Sequence, residues 1–433
     1  MSQLHLLSPV GFRAAGVYAG IKSRRANDVG VLVCDTIATA AAVFTTNKVF
    51  AAPVKIGREH VRSGKLRAII VNSGNANACT GERGERDALR MCSLTAELVG
   101  CRAKDVLPSS TGVIGHFLPM EKVESGIRDA AGGMGTSRDY ALAFGDAILT
   151  TDTKRKAASA VVRVGKNVVT LAGVCKGSGM IGPRMSLDGV PAGTHGGAAG
   201  FGDGARRGKR ALHATMLAYL TTDAAVSAPV LRKLLASASD ASFNAVTVDD
   251  HTSTNDTAVI LASGTSGASI ASRGDAAKFA AALDEVCQSL AYQIAADGEG
   301  ATKTVVVKVR GAATGSRGAG GTQAAMSMAR AIANSPLVKC AMHGNDPNWG
   351  RIVSAAGLAG VPFDPERCVL TLAGTVVFRA GRPVAFDPGK VSAALAAKEV
   401  VVDLDCRMGS GAATVWTCDL SKEYVSINAD YHT

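Results

Sequence analysis

The stretch ATMLAYLTTDA, residues 214–224, decides how this 433-residue chain is read, because it sets Thr215 directly after a small residue and at the head of an apolar run. A threonine hydroxyl is a weak nucleophile at neutral pH, and one base that can activate it is the threonine's own freed α-amine. A backbone cut between Ala214 and Thr215 would supply that amine, which titrates at about 7.7 to 8.0 and so accepts a proton near physiological pH. The same hydroxyl could make the cut by attacking the Ala214 carbonyl and passing through an ester. ATML followed by AYL reads equally well as the start of a buried helix.

Composition bounds the rest. A chain of 433 residues is long enough for two to four domains at roughly 150 residues each. Hydrophobic residues make up 47% but aromatics only 4%, with 49 glycines, so the expected core is α/β and built of small and branched side chains. No run of about 18 apolar residues escapes a charge or polar cluster, which argues against a membrane span. The opening MSQLHLLSPVGFRAAG lacks the basic-then-apolar layout of a secretory signal, so the expected location is cytoplasmic. The ten cysteines are scattered without a CxxC pair or a Cys/His cluster, so neither a zinc site nor a disulfide framework is expected and most should be buried. The net charge of +11 is spread along the chain without aromatic-basic motifs, so it fits anionic small molecules or solubility better than nucleic acid.

Strand and helix patterns alternate. Leu66–Asn72 reads as a buried strand running into the loop SGNANACTG, followed by a helix over about Arg86–Val99 and another over Tyr140–Leu149. Ala158–Val164 and Asn167–Val174 read as a hairpin turned at Gly165 and Lys166. Ala276–Ala296 has helical periodicity, Thr304–Val309 is a β-branched strand, and the tail from Lys398 through YVSINADYHT reads mostly as strand. One segment breaks the pattern: Ser186–His213 holds eight glycines and the basic cluster Arg206, Arg207, Lys209 and Arg210. Such a composition cannot bury enough apolar surface to offset its ordering entropy, so a loop is expected there.

The motifs NSGNANACTG (72–81), SSTGVIG (109–115), TTDT (150–153), KGSGMIGP (176–183), ATML with TTDA, TSTNDT (252–257), GEGATK (298–303), NDPNWGR (345–351) and the final NADYHT run in order along nearly the whole chain. Together they resemble the ornithine acetyltransferase family. The resemblance implies a two-lobed DmpA/ArgJ-like fold of the self-cleaving N-terminal-nucleophile type. It implies transfer of an acetyl group from N-acetylornithine to glutamate through an acetyl-threonine, in the cyclic route to arginine. It also implies cleavage at Ala214/Thr215 into an α chain of residues 1–214 and a β chain of residues 215–433, assembled as an α2β2 heterotetramer. Acetyl-CoA stays open as a second donor, and no metal or organic cofactor is implied.

By the same resemblance Thr215 is the nucleophile, and the Gly112 N–H with a donor from Thr111 forms the oxyanion hole that a tetrahedral intermediate needs. Lys176 meets a substrate carboxylate as a compact charge. Glu299 holds a substrate amino group, and Thr150, Asn428 and Thr433 complete the substrate site. Taken without the resemblance, Ser-Thr-Gly reads as a turn, Lys176 as a surface lysine, Glu299 as a helix-end charge and Thr150 as a backbone cap. NSGNANACTG is read as structural, since Gly and Asn serve special backbone angles. NDPNWGR stays open between a site wall and a packed polar turn, and His251, standing without a visible partner, is not expected to be catalytic.

The chain departs from the resembled pattern in one place. Lys176 and Thr215 stand 39 positions apart, and removing the 28 residues of Ser186–His213 would leave the family's usual eleven. The segment therefore reads as an insertion just before the scissile bond. Two other functions fit a chain of this design: a self-cleaving aminopeptidase or amidase in which water takes the acyl group, and an uncleaved, inactive binding protein.

Overall fold

A computed structural model describes residues 4–190, 215–314 and 320–430. Ala214, Thr433 and residues 191–213 of the expected insertion lie outside the described residues. The chain divides into two compact units, the first of residues up to 244 with 252–290, the second of residues 245–251 with 291–430. Both mix strands with helices, as an α/β reading requires.

The first unit carries β1 (Phe12–Val17), β2 (Val29–Thr45), β3 (Lys65–Asn75), β4 (Val106–Val113), β5 (Lys156–Val164), β6 (Asn167–Lys176), β7 (Met185–Ser186), β8 (Leu217–Thr222) and β9 (Thr257–Ala262). They form one sheet in the order β4-β3-β2-β9-β8-β6-β5, with β1 and β7 also pairing β2. The helices α1 (Ala52–His60), α2 (Gly81–Val99), α3 (Met120–Gly132), α4 (Arg138–Ala147) and α5 (Ala228–Asp240) belong here, with residues 273–290 of α6 (Arg273–Ala296). Two apolar layers cover the sheet. One includes Phe44, Leu66, Phe144, Tyr219 and Val259, the other Val31, Ile70, Met91, Val106 and Ile127. Over residues 68–71 of β3, Ile69 and Val71 join the first layer and Ala68 and Ile70 the second, as a strand period of two dictates.

The apolar run after Thr215 is a strand, not the start of a helix. Every residue of β8 and of its parallel neighbour β9 is buried. A strand buried on both faces reads as a continuous apolar run, which periodicity cannot tell from a core helix. Shortness and the β-branched pair Thr221 and Thr222 favour the strand. The first unit draws strands from both sides of residue 214.

The start of the expected insertion is likewise ordered. Met185–Ser186 pairs antiparallel with Phe44–Thr45 of β2. The Asp188 carboxylate then accepts from Ser186 Oγ at 2.8 Å and from the Val190 N–H at 3.0 Å, closing a turn. A short side-chain acceptor two residues from a donor is enough to fold such a turn without a core.

The second unit holds β10 (Thr304–Ala312), β11 (Val369–Leu372), β12 (Thr375–Arg379), β13 (Arg382–Pro383), β14 (Glu399–Asp405) and β15 (Gly411–Cys418) in the order β13-β12-β11-β14-β10-β15. Its helices are α7 (Gly321–Asn334), α8 (Pro336–His343), α9 (Trp349–Gly357), α10 (Pro388–Leu395) and α11 (Lys422–Asp430). A core of Val307, Met328, Ile332, Met342, Leu370 and Val402 lies between sheet and helices. The strands expected over 398–418 are β14 and β15, but the tail beyond is the helix α11. Ser421 explains the change: its Oγ donates to Gly300 O at 2.6 Å and accepts the Glu423 N–H at 3.1 Å, starting a helix on the glycine loop. Gly300, at φ +68°, lets that helix approach, since an added Cβ would lie 2.4 Å from the Tyr424 nitrogen.

Gly16 marks the tightest contact between β1 and α4, where an added Cβ would sit 1.9 Å from Ala143 O. Gly145, in the same helix, has open space around a virtual Cβ. Gly16→Ala is therefore expected to destabilise by about 2 kcal/mol or more, the usual scale of overpacking. Gly145→Ala should stabilise by about 0.5–1 kcal/mol through helix propensity. Chemical denaturation of the two variants checks both signs.

Candidate active site

Thr215 is buried just ahead of β8, and its Oγ1 lies 2.8 Å from Ser253 Oγ. Both belong to the first unit. Ser253 is fixed from several sides: its Oγ accepts the Asn255 N–H at 3.2 Å and its carbonyl accepts from Thr45 Oγ1 at 2.6 Å. The buried Asp256 carboxylate accepts the Met216 N–H and the Ser253 N–H, both at 3.0 Å. One carboxylate therefore clamps the residue after Thr215 to the residue that faces its hydroxyl. Two hydrogen bonds to one anion set this geometry more firmly than neutral contacts would.

Sheet register brings the remaining groups. β6 runs antiparallel to β8 with Lys176 opposite Leu217, so the last residue of one strand flanks the first of the other. The Lys176 side chain is fully buried. Its Nζ donates to Thr150 Oγ1 at 2.9 Å and to Thr111 Oγ1 at 3.3 Å, and lies 3.8 Å from Asp152 Oδ2. A hydroxyl that accepts from an ammonium keeps its own proton to donate, so Lys176 orients Thr111 as a donor.

Gly112, beside Thr111 at the end of β4, has φ +133°, and a Cβ there would lie 2.3 Å from the Gly74 carbonyl carbon. Only glycine fits this crossing of β4 with the bulged end of β3. The loop that follows is structural, as its composition suggested. Asn72 Nδ2 donates to Asn75 O at 2.8 Å, Ser110 Oγ donates to Asn72 Oδ1 at 2.6 Å, and Thr80 Oγ1 donates to Asn77 Oδ1 at 2.7 Å. These bonds hold the backbone next to Thr111 and Gly112.

Asp152 is the charged centre of the site. Its carboxylate accepts from Lys156 Nζ at 2.7 Å, from the Gly177 N–H at 2.6 Å and from the Thr150 N–H at 3.2 Å. Burial alone would raise its pKa, but the ammoniums of Lys156 and Lys176 overcome burial and hold it well below the usual carboxylate range. Lys22 stands nearby, buried, with Nζ donating to Asn27 O at 2.6 Å. Burial first, then the charges of Arg24 and Lys176, lower its pKa to about 8, against the opposing pull of Asp28 and Asp152.

Of the sequence-derived site residues in the first unit, Lys176 is hydrogen-bonded to Thr111 and Thr150, Gly112 follows Thr111, and Thr215 stands two residues before Leu217, the register partner of Lys176. Glu299 and Asn428 meet in the second unit, where Asn428 Nδ2 donates to Glu299 Oε2 at 3.0 Å. NDPNWGR resolves as a polar turn: Asn348 Oδ1 accepts the Arg351 N–H at 3.3 Å and caps α9, and Asn348 Nδ2 donates to Asp346 Oδ2 at 3.0 Å. His251 is exposed. Sequence reasoning missed Ser253, Asp256, Asp152 and Lys22. The first three stood in quoted motifs, TSTNDT and TTDT, where a buried acidic residue among threonines was the available signal.

The first unit is thus an α/β scaffold that buries a threonine hydroxyl against Ser253 and, at the neighbouring strand end, a lysine bonded to two threonine hydroxyls. A profile of the ArgJ family matches residues 13–433. The arginine biosynthesis bifunctional protein ArgJ of Symbiobacterium thermophilum is 45% identical over 430 residues, 98% of each chain. The crystal structure of the same-named protein from Bacillus halodurans shares 46% identity over 42% of this chain and 95% of that one, with a TM-score of 0.41. Ornithine acetyltransferase from Mycobacterium tuberculosis, solved with ornithine, shares 35% identity over 42% of this chain and 96% of that one, with a TM-score of 0.39. The chain belongs to the ArgJ family, and it is an acyltransferase of arginine biosynthesis. Family membership does not favour a hydrolytic amidase or an inactive binding protein. No helix among the described residues is long and apolar enough to cross a membrane.

Ser253→Ala should lower kcat roughly tenfold to a hundredfold, because it frees the Thr215 hydroxyl to rotate off its line of attack, and should cost about 1–3 kcal/mol of stability, because the buried Asn255 N–H loses its Oγ acceptor. Asp152→Asn should cost about 3–5 kcal/mol of stability, since it strands two buried ammoniums. The depressed Asp152 pKa gives the same sign with pH: the stability it contributes is present above the unfolded carboxylate value near 3.9 and is lost as pH falls below it. Denaturation curves across that range check the difference between the wild-type and Asn chains.

Proposed function

We propose that this chain is a glutamate N-acetyltransferase that takes its acetyl group from N-acetylornithine and passes it through an ester on Thr215. The observation that carries the reading is the buried Thr215 hydroxyl held 2.8 Å from Ser253, on a sheet whose neighbouring strand end supplies Lys176. After a cut following Ala214, the new α-amine takes the proton from Thr215 Oγ1 as that oxygen attacks the acetyl carbonyl. Negative charge develops on the acetyl oxygen, where the Gly112 N–H and the Thr111 hydroxyl donate to it. Collapse of the intermediate returns the proton to the α-nitrogen of the leaving ornithine. Glutamate's α-amine then attacks the acetyl-threonine by the reverse sequence, which regenerates the enzyme.

The family resemblance gives the other residues roles on the substrate. Lys176 and Thr150 hold the α-carboxylate common to donor and acceptor, since a buried ammonium is a strong anchor for a carboxylate. By the family resemblance Glu299, whose carboxylate accepts from Asn428, takes the cationic side chain of ornithine, and Thr433 has a further role on the substrate. Cleavage gives an α chain of residues 1–214 and a β chain of residues 215–433. These act as an α2β2 heterotetramer in the cytoplasm, with acetyl-CoA as an additional donor to be tested in the same assay.

Intact mass of the purified protein should show two chains that part between Ala214 and Thr215, and the preparation should release ornithine from N-acetylornithine when glutamate is supplied. Thr215→Ala should give a single uncut chain with no transfer. Thr111→Ala should still be cut, more slowly, and lose roughly a hundredfold to a thousandfold in kcat, the scale of one oxyanion donor. A cleaved wild-type protein that releases no ornithine would sink the reading.

A further inference from the structure

We propose that Lys22 binds the side-chain carboxylate of the acyl acceptor and so selects glutamate in the second half of the reaction. The assignment rests on the acetyl-transfer reading above and adds to it the group that recognises the acceptor.

Lys22 is 3% exposed, and its ammonium has Asn27 O as its hydrogen-bond partner, a neutral carbonyl. The adjacent Asp28 carboxylate is taken up by backbone N–H groups of Ala19, Ile21 and Lys22 itself, at 2.6, 2.7 and 3.0 Å. A buried ammonium without a bonded anion is costly, and such a group is satisfied when a carboxylate arrives. Asp28 thus shapes the loop that presents Lys22 and, among the described residues, no carboxylate is bonded to the ammonium itself.

Position ties this ammonium to the reacting centre. The Lys22 stem lies over Gly74, where an added Cβ would be 3.2 Å from Lys22 Cγ. Gly74 pairs with Gly112, and a Cβ on Gly112 would be 2.7 Å from the Gly74 Cα. On the other flank Arg24 Nη2 donates to Thr150 O at 2.9 Å, and Thr150 Oγ1 accepts from Lys176 Nζ at 2.9 Å. The segment carrying Lys22 is therefore a wall of the site between the oxyanion glycine and the lysine that meets the α-carboxylate.

The chemistry of the two substrates gives this wall a task. Donor and acceptor share an α-carboxylate and differ in side chain, one ending in an ammonium and the other in a carboxylate. A permanent positive charge beside both would oppose the donor. Burial, with Arg24 and Lys176, brings the Lys22 pKa to about 8, while Asp28 and Asp152 oppose the shift. The group therefore gives up its proton readily when a cationic side chain is bound and keeps it when a carboxylate is bound.

The test compares glutamate with glutamine, its neutral isostere, as acceptor. The wild-type enzyme should prefer glutamate. Lys22→Met should lower kcat/KM for glutamate roughly tenfold to a hundredfold, the worth of one charge-assisted bond, with glutamine little changed. Intact mass should show the variant cut as the wild type is, and a burst of ornithine from N-acetylornithine before any acceptor is added shows that it still acetylates Thr215. An unchanged glutamate preference in that active variant would overturn the assignment. If the substitution also removes ornithine release, the wild-type enzyme decides. Its glutamate-over-glutamine ratio of kcat/KM should fall as pH rises past about 8, and a ratio that is flat with pH overturns the proposal. Wild-type protein that releases no ornithine at all would remove the acetyl-transfer reading, and this assignment with it.

Discussion

The register of β8 between β6 and β9 is the constraint from which the site follows. Leu217 faces Lys176 on one side and Thr257 on the other, so the strand start is held between two other strand ends. A slip of one residue would exchange the faces of Leu217, Tyr219 and Thr221 and expose or strand every one of them. Because all six residues of β8 are buried, no such slip is tolerated. Thr215 is thereby fixed two residues ahead of the pairing and within reach of Ser253.

Around that strand end the protein gathers charge that water would otherwise solvate. Asp152 sits between Lys156 and Lys176, and its backbone donors from Thr150 and Gly177 draw two further loop segments to the same point. Asp256 does the equivalent for Met216 and Ser253. Each carboxylate acts as a hub that converts loop backbone into fixed geometry, which suits a site whose donors must not reorganise as charge develops. The threonine hydroxyls at 111 and 150 carry the influence of Lys176 outward without adding further charge.

The motif order made the family legible before any coordinates, and Thr215, Thr111, Gly112 and Lys176, all buried or at a strained backbone angle, stand in those motifs. Local elements also read well where pattern and burial agree, as in the hairpin of β5 and β6 or the long helix ending at Ala296. The misreadings have specific causes. The run after Thr215 is apolar without a period because β8 is covered on both faces. The tail's β-branched residues suggested a strand, but Ser421 and the glycine loop at Gly300 start a helix there. Ser186 looked like the first residue of a loop until β2 offered it a pairing edge.

The sequence by itself determined the residue types to which the chemistry is assigned: a threonine after Ala214, a lysine among glycines, and a glycine at 112. Those choices depend on functional groups and backbone freedom, and both are written in residue identity. Only the tertiary structure decided which groups meet. Ser253 is 38 positions from Thr215, and Lys22 is separated by half the first unit from Thr150, whose segment it flanks. Contacts across such distances are set by strand order and register, and no local pattern encodes them. Whether a buried charge has a partner is decided the same way, which is why Asp152 and Lys22 became visible as site residues only once the sheet had brought their neighbours to them.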